Sequence, residues 1–332
     1  MAQTESHGSA VSGPPDPADG AARPAPPRVV ALGGGHGLAA SLAALRILSK
    51  QITGIVTVAD NGGSSGRLRD ELGILPPGDL RMALAALCRD DSWGRTWADV
   101  LQQRFVSEGP LNGHSVGNLL IAAVWNRLGD HVAGLDLVGE LLGAQGRVLP
   151  MAAVPLHITA DVDDGNGGTR VVHGQAQAAV AAGVSRVALD PDDPPACPEA
   201  VGAIADADWV VIGPGSWFTS VIPNLLVPGI RRALAHTTAR KLVVLNLSEQ
   251  TGETQGLAPE DHLRVLAEHA PELRLDVVLA DPRSVTDTAA VADAAARMGA
   301  RLDLKEVALP DGSNRHDVSS LAGAFRHFMN RG

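Results

Sequence analysis

The stretch Val29-Val30-Ala31-Leu32-Gly33-Gly34-Gly35-His36-Gly37 decides the fold of this 332-residue chain. Four apolar residues run directly into a glycine-rich loop, and leucines then recur at helical spacing over Leu38–Leu48. This order predicts a buried strand, a tight turn and a helix. The β-branched segment Ile52–Ala59 follows and predicts a second strand, which a right-handed crossover would place parallel to the first.

The same alternation of strands and helices continues along most of the chain. Further apolar strands are predicted at Trp209–Ile212, Leu242–Leu247 and Val277–Ala280. Helices are predicted at Asp79–Leu87, Trp93–Phe105, Ser115–Leu128, Val132–Leu142, Pro259–His269, Ala289–Met298 and Ser319–Phe328. Strands that alternate with helices indicate an α/β protein with a doubly wound, mostly parallel sheet.

A small β-hairpin interrupts this pattern. Leu156–Val162 alternates apolar and polar residues, as a half-buried strand does, and Thr169–His173 is its predicted partner. The polar, glycine-containing segment Asp163–Gly168 would connect them. We interpret this hairpin as an insertion into the α/β framework.

Composition sets the domain boundaries and excludes several classes of protein. Residues Met1–Pro27 are rich in Pro, Ala, Gly and Ser, which predicts a disordered leader, and residues 28–332 then form one domain. The leader's serines and its threonine are candidate targets of a regulatory kinase. A net charge of −10 argues against a general nucleic-acid binder. None of the three lysines lies in a glycine loop, which excludes a Walker-type phosphate loop.

Two cysteines, no signal peptide and no apolar span of membrane length predict a cytoplasmic protein without membrane insertion. The sequence is compatible with a homo-oligomer. No Cys/His cluster has zinc spacing, and no cofactor is required by any motif. Mg²⁺ could bind if Asp60 and a ligand's diphosphate shared it.

Three glycine-rich loops are candidates for binding an anionic ligand, because ligands of doubly wound sheets bind beyond the carboxyl ends of the strands. The first is Gly33–Gly37, whose backbone could approach a phosphate at the start of a helix. The second is Asp60–Arg67, where serines and an arginine add donors. The third is Gly213–Ser216. The first and third loops could instead be tight strand-to-helix turns, whereas an ordinary turn rarely needs as many glycines and serines as the second contains. The spacing of the first loop does not specifically indicate NAD.

Two other segments have both a structural and a functional interpretation. Pro76–Arg81 combines a turn, an acid at a helix start and an arginine, and it could simply be a capped helix. Arg315-His316-Asp317 precedes the last helix; Asp317 could cap that helix, while Arg315 would make a good diphosphate ligand.

Gly113-His114-Ser115-Val116-Gly117 matches the G-x-S-x-G pattern of a serine hydrolase. That pattern needs an apolar strand immediately before it, whereas Ser107–Asn112 is typical of a loop. The required context fails, so a hydrolase is disfavoured.

Several long motifs, taken in order, resemble the gluconeogenesis factor family (YvcK-type). The resemblance is collinear from about Arg28 to the C-terminus and is carried by Gly33–Leu38, Val56–Arg69, Gly73–Arg81, Gly113–Leu120, Gly146–Pro150, Gly213–Ser216 and Ile222–Gly229. It implies a Rossmann-like fold in the superfamily of the phospholactate transferase CofD. It also implies binding of UDP-sugars such as UDP-N-acetylglucosamine, and a role in cell shape and growth on gluconeogenic carbon sources.

By position, the resemblance assigns the nucleotide-sugar contacts to three loops and two single residues. These are Gly33, Gly34, Gly35, His36, Gly37, Asp60, Asn61, Gly62, Gly63, Ser64, Ser65, Arg67, Gly213, Pro214, Gly215, Ser216, Asn224 and Arg315. The family more often has Thr at position 36 and Asp at position 61, so His36 and Asn61 put transfer chemistry in doubt more than binding. Two alternatives stay open: a CofD-like transferase that moves a phospho-linked group from a nucleoside diphosphate donor, and a simple NAD enzyme.

Overall fold

Ten strands form two separate sheets in the computed structural model, which describes residues 25–163 and 168–330. In chain order the strands are β1 (Val29–Gly33), β2 (Ile52–Val56), β3 (Arg147–Pro150), β4 (His157–Asp163), β5 (Thr169–His173), β6 (Val184–Asp190), β7 (Trp209–Ile212), β8 (Arg240–Val244), β9 (Val277–Ala280) and β10 (Arg301–Leu304).

Thirteen α-helices accompany them in the described residues. They are α1 (Gly35–Arg46), α2 (Gly63–Leu72), α3 (Gly78–Leu87), α4 (Ser92–Gln102), α5 (Val116–Leu128), α6 (His131–Leu142), α7 (Gln175–Val180), α8 (Pro198–Asp206), α9 (Ile222–Leu226), α10 (Pro228–His236), α11 (Pro259–His269), α12 (Thr288–Arg297) and α13 (Val318–Met329).

The main sheet has seven parallel strands in the order β10-β9-β8-β7-β1-β2-β3. Strand order therefore reverses between β1 and β7: the chain first adds strands on one side of β1 and later on the other. Every residue of β1, β7 and β9 is buried, as strands covered on both faces require. The predicted doubly wound parallel sheet is confirmed, and it places a crevice at the carboxyl ends of β1 and β7.

The predicted hairpin is confirmed as β4 and β5, but it belongs to a three-stranded antiparallel sheet in the order β5-β4-β6. The third strand, β6, was not predicted because its burial does not alternate regularly. Its pairing with β4 is interrupted by a shift in register after Asp161. Most of the predicted connection, residues 164–167, lies outside the described residues.

The largest difference from the sequence-based prediction lies after β2. The segment Asp60–Arg69 was predicted as a loop, whereas helix α2 begins at Gly63. Its sequence is polar and rich in glycine and serine, so no apolar period marks it as a helix. The edge strands β3 and β10 were also missed, and each has only four residues. Strand β2 ends at Val56 rather than Ala59, and β8 runs from Arg240 to Val244.

The end of the predicted leader is attached to the domain. The carbonyl oxygen of Pro27 accepts a hydrogen bond from Ser49 Oγ (2.7 Å), and that of Pro26 accepts one from Gln51 Nε2 (2.9 Å). Residues 1–24, with the candidate phosphorylation sites, lie outside the described residues. No helix in the described part of the chain is long and apolar enough to cross a membrane.

Candidate functional site

The loops after β1 and β7 pack backbone against backbone where the strand order reverses. A Cβ atom on Gly37 would lie 2.5 Å from the carbonyl carbon of Pro214 and 2.7 Å from Cα of Gly215, so a side chain at this position would separate the loops. Gly35 has φ +58°, a left-handed conformation that favours glycine. The first and third glycine loops predicted from the sequence therefore form one structure.

These two loops line a cavity of ≈ 470 Å³, a volume within the range of small-molecule sites. Seven predicted contact residues line it: Gly34, Gly35, His36, Gly37, Pro214, Gly215 and Ser216. The other two predicted glycines, Gly33 and Gly213, stand at the ends of the strands. Helix α1 begins at this cavity, has no side-chain cap and has no acidic residue in its first turn. The buried carboxylate of Asp79 occupies the Gly35 N–H, so an anion there would bind to the N–H groups of the residues that follow and to the positive end of the helix dipole.

The loop after β8 forms a further wall of the cavity and was not predicted as part of the site. Asn246 fixes Gly215 from both sides: its Oδ1 accepts from Gly215 N (3.0 Å), and its Nδ2 donates to Gly215 O (2.9 Å). Gln250 Nε2 donates to Ser216 Oγ (3.1 Å), while the buried Gln250 Oε1 has no partner. Asn246 and Ser248 stand at the end of the predicted strand Leu242–Leu247, but no local pattern indicates that Asn246 contacts Gly215.

Two carboxylates connect the crevice to the start of α2. Asp79, at the start of α3, accepts a hydrogen bond from the backbone N–H of Gly35. Burial, reinforced by the negative charge of Asp60, raises the pKa of Asp79 to about 7. Asp60 Oδ1 accepts from the backbone N–H of Gly62 (2.8 Å). Sequence reasoning treated the Asp79 segment as separate from the glycine loop, whereas the structure joins them.

The second predicted loop, Asp60–Arg67, does not line the cavity. Asn61 holds the start of α7: its Oδ1 accepts from Ala176 N (2.9 Å) and its Nδ2 donates to Gln177 Oε1 (3.0 Å). Arg67 is exposed and donates to the carbonyl oxygens of Pro110 (3.0 Å) and Asn112 (2.7 Å). Its guanidinium therefore fastens the loop before α5.

The serines of this segment face other helices. Ser64 Oγ lies 3.0 Å from His114 Nδ1 and accepts from Asn118 Nδ2 (3.0 Å). Ser65 Oγ lies so close to Gly78 that a Cβ there would overlap it. We call Ser64, Arg81, His114, Ser115 and Asn118 the buried polar cluster; each is at most 6% exposed.

The two remaining predicted contacts have different surroundings. Asn224 is fully buried, and its Nδ2 donates to Thr57 Oγ1 (2.8 Å) and to Ser220 O (2.8 Å). Arg315 is exposed and does not line the cavity, but Asn314 and His316, on either side of it, do.

The segment after Arg315 has both a capping residue and an unusual histidine. Asp317 caps α13 by accepting from Ser320 N (2.7 Å), as the capping interpretation predicted. Burial lowers the pKa of His316 to about 4, and its Nε2 has no partner. His316 therefore presents a neutral imidazole at the cavity.

Neither hydrolase nor metal geometry is present in the described residues. Ser115 stands at the start of α5 after a turn-rich loop, so the strand that a nucleophile elbow needs does not precede it. No group of three or more His, Cys, Asp or Glu residues in this part of the chain could hold a metal ion. A cation at this site would need oxygen ligands from a bound molecule.

Comparison with known proteins places the chain in a family. The family described as 2-phospho-L-lactate transferase CofD matches residues 29–311. A putative gluconeogenesis factor of Mycobacterium leprae is 51% identical over 306 residues, which cover 90% of this chain and 85% of the relative. The gluconeogenesis factor of Bacillus subtilis is 39% identical over 262 residues, covering 79% and 80%. The crystal structure of a UPF0052 family protein from Bacillus halodurans matches with a TM-score of 0.80 at 35% identity, covering 90% of this chain and 98% of that one. The chain belongs to the CofD family and, within it, to the gluconeogenesis factors.

Proposed function

We propose that this protein binds a UDP-sugar, with UDP-N-acetylglucosamine as the first candidate, in the crevice between β1 and β7. We further propose that it acts as a regulatory factor required for cell shape and for growth on gluconeogenic carbon sources. One observation carries the binding proposal: two glycine loops and the first turn of α1, which contains no acidic residue of its own, line a cavity of ≈ 470 Å³ at the reversal of strand order. The names of its relatives support the gluconeogenic role.

The chemistry of the cavity suits each part of such a ligand. A diphosphate at the start of α1 would accept from backbone N–H groups, and the absent side chains let it approach closely. His36 adds an imidazole donor at the same loop. The unpartnered Gln250 Oε1 is an acceptor for an N–H or a hydroxyl group, both of which a uracil ring and a sugar supply.

Arg315 is the proposed diphosphate ligand from the end of the chain. Its side chain is exposed and stands between two residues that line the cavity. If Mg²⁺ accompanies the ligand, Asp60 and the diphosphate would share it, and titrations with and without Mg²⁺ test this.

Calorimetric titration of the full chain with UDP-N-acetylglucosamine, UDP-glucose, GDP and NAD tests the proposal. The UDP-sugars should bind, and NAD should not, because the loop lacks the glycine spacing of dinucleotide folds. Arg315→Ala should weaken binding without unfolding the protein. The matched control is Arg297→Ala, which removes an exposed arginine from the end of α12 and should change nothing. Absence of binding at millimolar UDP-N-acetylglucosamine would refute the proposal.

A CofD-like transferase is the second candidate, favoured by one feature. Asp79 has a pKa raised to about 7, in the range of general bases that act at neutral pH, and it contacts the glycine loop that lines the cavity. The family description is that of a transferase. Incubation with a nucleotide-activated phospholactate and a deazaflavin acceptor decides between the two, because turnover would replace the regulatory proposal with a catalytic one.

We place the protein in the cytoplasm. Both cysteines, Cys88 and Cys197, are free and buried, as in proteins of reducing compartments. Localisation of a fluorescently tagged chain in living cells would test this assignment.

A further inference from the structure

Three helices begin around the buried polar cluster, beside the crevice but outside its lining. Ser64 lies in the first turn of α2, Arg81 is the fourth residue of α3, and Ser115 occupies the N-cap position of α5 without making a side-chain capping hydrogen bond. The first turns of α2 and α5 contain no acidic residue. Two helix N-termini and a buried arginine therefore contribute positive potential that no acid in those turns offsets.

Hydrogen bonding within the cluster is incomplete. Ser64 Oγ accepts from Asn118 Nδ2 (3.0 Å) and lies 3.4 Å from Ser115 N, so its own proton goes to His114 Nδ1. Burial lowers the pKa of His114, which is consistent with a neutral ring that accepts this proton. Four buried atoms are left without a partner: Arg81 Nε, Arg81 Nη1, Ser115 Oγ and Asn118 Oδ1. Buried polar atoms in native proteins normally have a partner, so these four point to a bound group.

Arg81 is the most unusual member. The residue is 4% exposed, and its aliphatic stem crosses α5 at Gly117, where a Cβ would lie 2.7 Å from Arg81 Cγ. Among the described residues no carboxylate forms an ion pair with its guanidinium. Burial, with a contribution from nearby Arg104, lowers its pKa to about 10 although the negative charges of Asp79 and Asp60 oppose this shift, so it is still charged at neutral pH. A buried, charged and unpaired arginine needs an anionic partner.

The unpartnered atoms also select the anion. Arg81 Nε and Nη1 are donors, the Ser115 hydroxyl is a donor, and Asn118 Oδ1 is an acceptor only. Inorganic phosphate near neutral pH has several acceptor oxygens, and a large share of it retains a proton that Asn118 Oδ1 can accept. A phosphomonoester, whose second pKa is about 6, retains this proton in a smaller share of its molecules. Sulfate has the same shape and no proton. The set of donors and acceptors therefore matches a phosphate or phosphomonoester better than a sulfate.

We propose that the buried polar cluster is a second anion site, which binds a phosphate or phosphomonoester group separately from the diphosphate of the nucleotide-sugar. Its place beside a nucleotide rests on the proposed function, whereas the binding of phosphate does not. The carboxylates of Asp79 and Asp60 lie between the two sites. Asp79 accepts a hydrogen bond from Gly35 N–H, and Asp60 accepts one from Gly62 N–H. We place the entrance at the exposed loop 105–113, which precedes His114 and is held by the hydrogen bonds of Arg67 to Pro110 O and Asn112 O.

Titration of the full chain with inorganic phosphate, followed by calorimetry and ³¹P NMR at constant ionic strength, tests the proposal. Wild type should bind phosphate saturably at one site, and sulfate about tenfold more weakly, the effect of one hydrogen bond lost at a charged group. Asn118→Asp places a carboxylate at the site without changing its shape, so phosphate binding should fall by at least about tenfold. Arg81→Gln should do the same. Neither change should affect binding of UDP-N-acetylglucosamine.

Matched controls are available for both substitutions. Asn126→Asp makes the same change at an exposed position of α5, and Arg297→Gln removes an exposed arginine of α12; both should bind phosphate as wild type does. If Arg81→Gln fails to fold, Asn118→Asp alone decides. Titration with phenyl phosphate shows whether the site takes a phosphomonoester or only the free ion. If phenyl phosphate binds as tightly as inorganic phosphate, the natural ligand is a phosphate group carried on a larger molecule; if phenyl phosphate does not bind, the ligand is the free ion.

Three results would overturn the second site: no saturable phosphate binding by wild type, unchanged binding by folded Asn118→Asp, or sulfate binding as tight as phosphate. Failure of UDP-N-acetylglucosamine to bind in the same titrations would refute the proposed function instead, and the phosphate result would stand. Simultaneous saturation by both ligands would support two separate sites.

Discussion

Two glycine-rich loops of this protein, Gly33–Gly37 and Asp60–Arg67, have similar compositions but different surroundings in the structure. Each follows a buried parallel strand and leads into a helix. The first presents its backbone to a cavity, whereas the second directs its side chains to α7 and to the start of α5. Composition alone therefore did not distinguish a loop that lines the cavity from a loop that packs against helices.

The difference follows from strand order. Strand β1 lies at the reversal, so the chain departs from β1 and β7 in different directions and leaves a crevice between their loops. Strand β2 lies one position further, between β1 and β3, and the starts of α2, α3 and α5 meet over its end. The first loop remains open because nothing crosses it, and the second is covered.

Gly37→Ala should produce the largest effect, because it would break the contact between the first loop and its partner. The new Cβ would overlap the Pro214 carbonyl group, which is backbone and cannot rotate away. We expect a loss of about 3 kcal/mol in the free energy of unfolding, typical of severe overpacking, together with loss of UDP-N-acetylglucosamine binding. Denaturant unfolding and calorimetry measure the two effects.

Gly323→Ala is the control for this change. Gly323 is exposed in α13 with no heavy atom near its missing Cβ, so alanine should stabilise the protein by up to about 1 kcal/mol through helix propensity. A Gly37→Ala protein as stable as wild type would show that the two loops separate freely.

Asp79→Asn tests the residue that connects the two loops, because Asp79 contacts Gly35 in the first loop and lies near Asp60 in the second. The folded-state pKa of Asp79 is about 7, above the ordinary aspartate value of 3.8, so the native state binds a proton more tightly than the unfolded state. This group therefore makes the protein most stable at low pH, and its contribution falls as the pH rises from about 4 to about 7. In the asparagine variant this dependence of the unfolding free energy on pH is absent, while the side-chain amide oxygen still accepts a hydrogen bond from Gly35 N–H.

Denaturant unfolding of both proteins between pH 5 and pH 7 measures this effect. Their difference in unfolding free energy should change by roughly 2 kcal/mol across the window, in favour of the variant at the upper end. The exposed Asp206, changed to asparagine, should leave the slope unaltered. Parallel pH curves for wild type and Asp79→Asn would contradict the raised pKa.

Ser64→Ala should test whether the second loop acts by packing. The hydroxyl contacts His114, Ser115 and Asn118, and its removal leaves these buried groups without that partner. We expect a loss of about 2 kcal/mol in unfolding free energy and a change of less than about twofold in UDP-N-acetylglucosamine affinity. Ser319→Ala, at the exposed second position of α13, is the control. Weaker nucleotide binding with unchanged stability would make Ser64 a ligand contact.

His316→Gln should give the smallest effect, at the wall of the open loop. The folded-state pKa of His316 is about 4, below the ordinary histidine value of 6.5. The contribution of His316 to the unfolding free energy is therefore fully present above pH 6.5 and falls as the pH decreases towards 4. Glutamine removes this decline. Between pH 6.5 and pH 5.5 the variant should lose about 1 kcal/mol less than wild type in thermal or denaturant unfolding. Equal acid sensitivity of the two proteins would show that His316 gains its proton without cost.

Sequence patterns predicted the structure correctly where the conformation of a residue depends mainly on its own segment of the chain. The apolar run Val29–Leu32 and the glycines after it predicted β1 and its loop, and helical spacing predicted α5 and α6 to within a residue or two. They failed for α2, whose polar residues are buried by neighbours distant in the sequence. Asn246 was missed as part of the site because its role is to hold Gly215, a contact between loops that no local pattern encodes.

The sequence by itself determined the class of fold, the glycine loops and the family, because strand periodicity, glycine positions and collinear motifs are properties of the chain read in order. Only the tertiary structure decided which loops line the cavity. The meeting of Gly37 with Pro214, the contact of Asp79 with Gly35 and the burial of Arg81 all join segments separated along the chain. Strand order sets those distances, and strand order is a property of the assembled sheet.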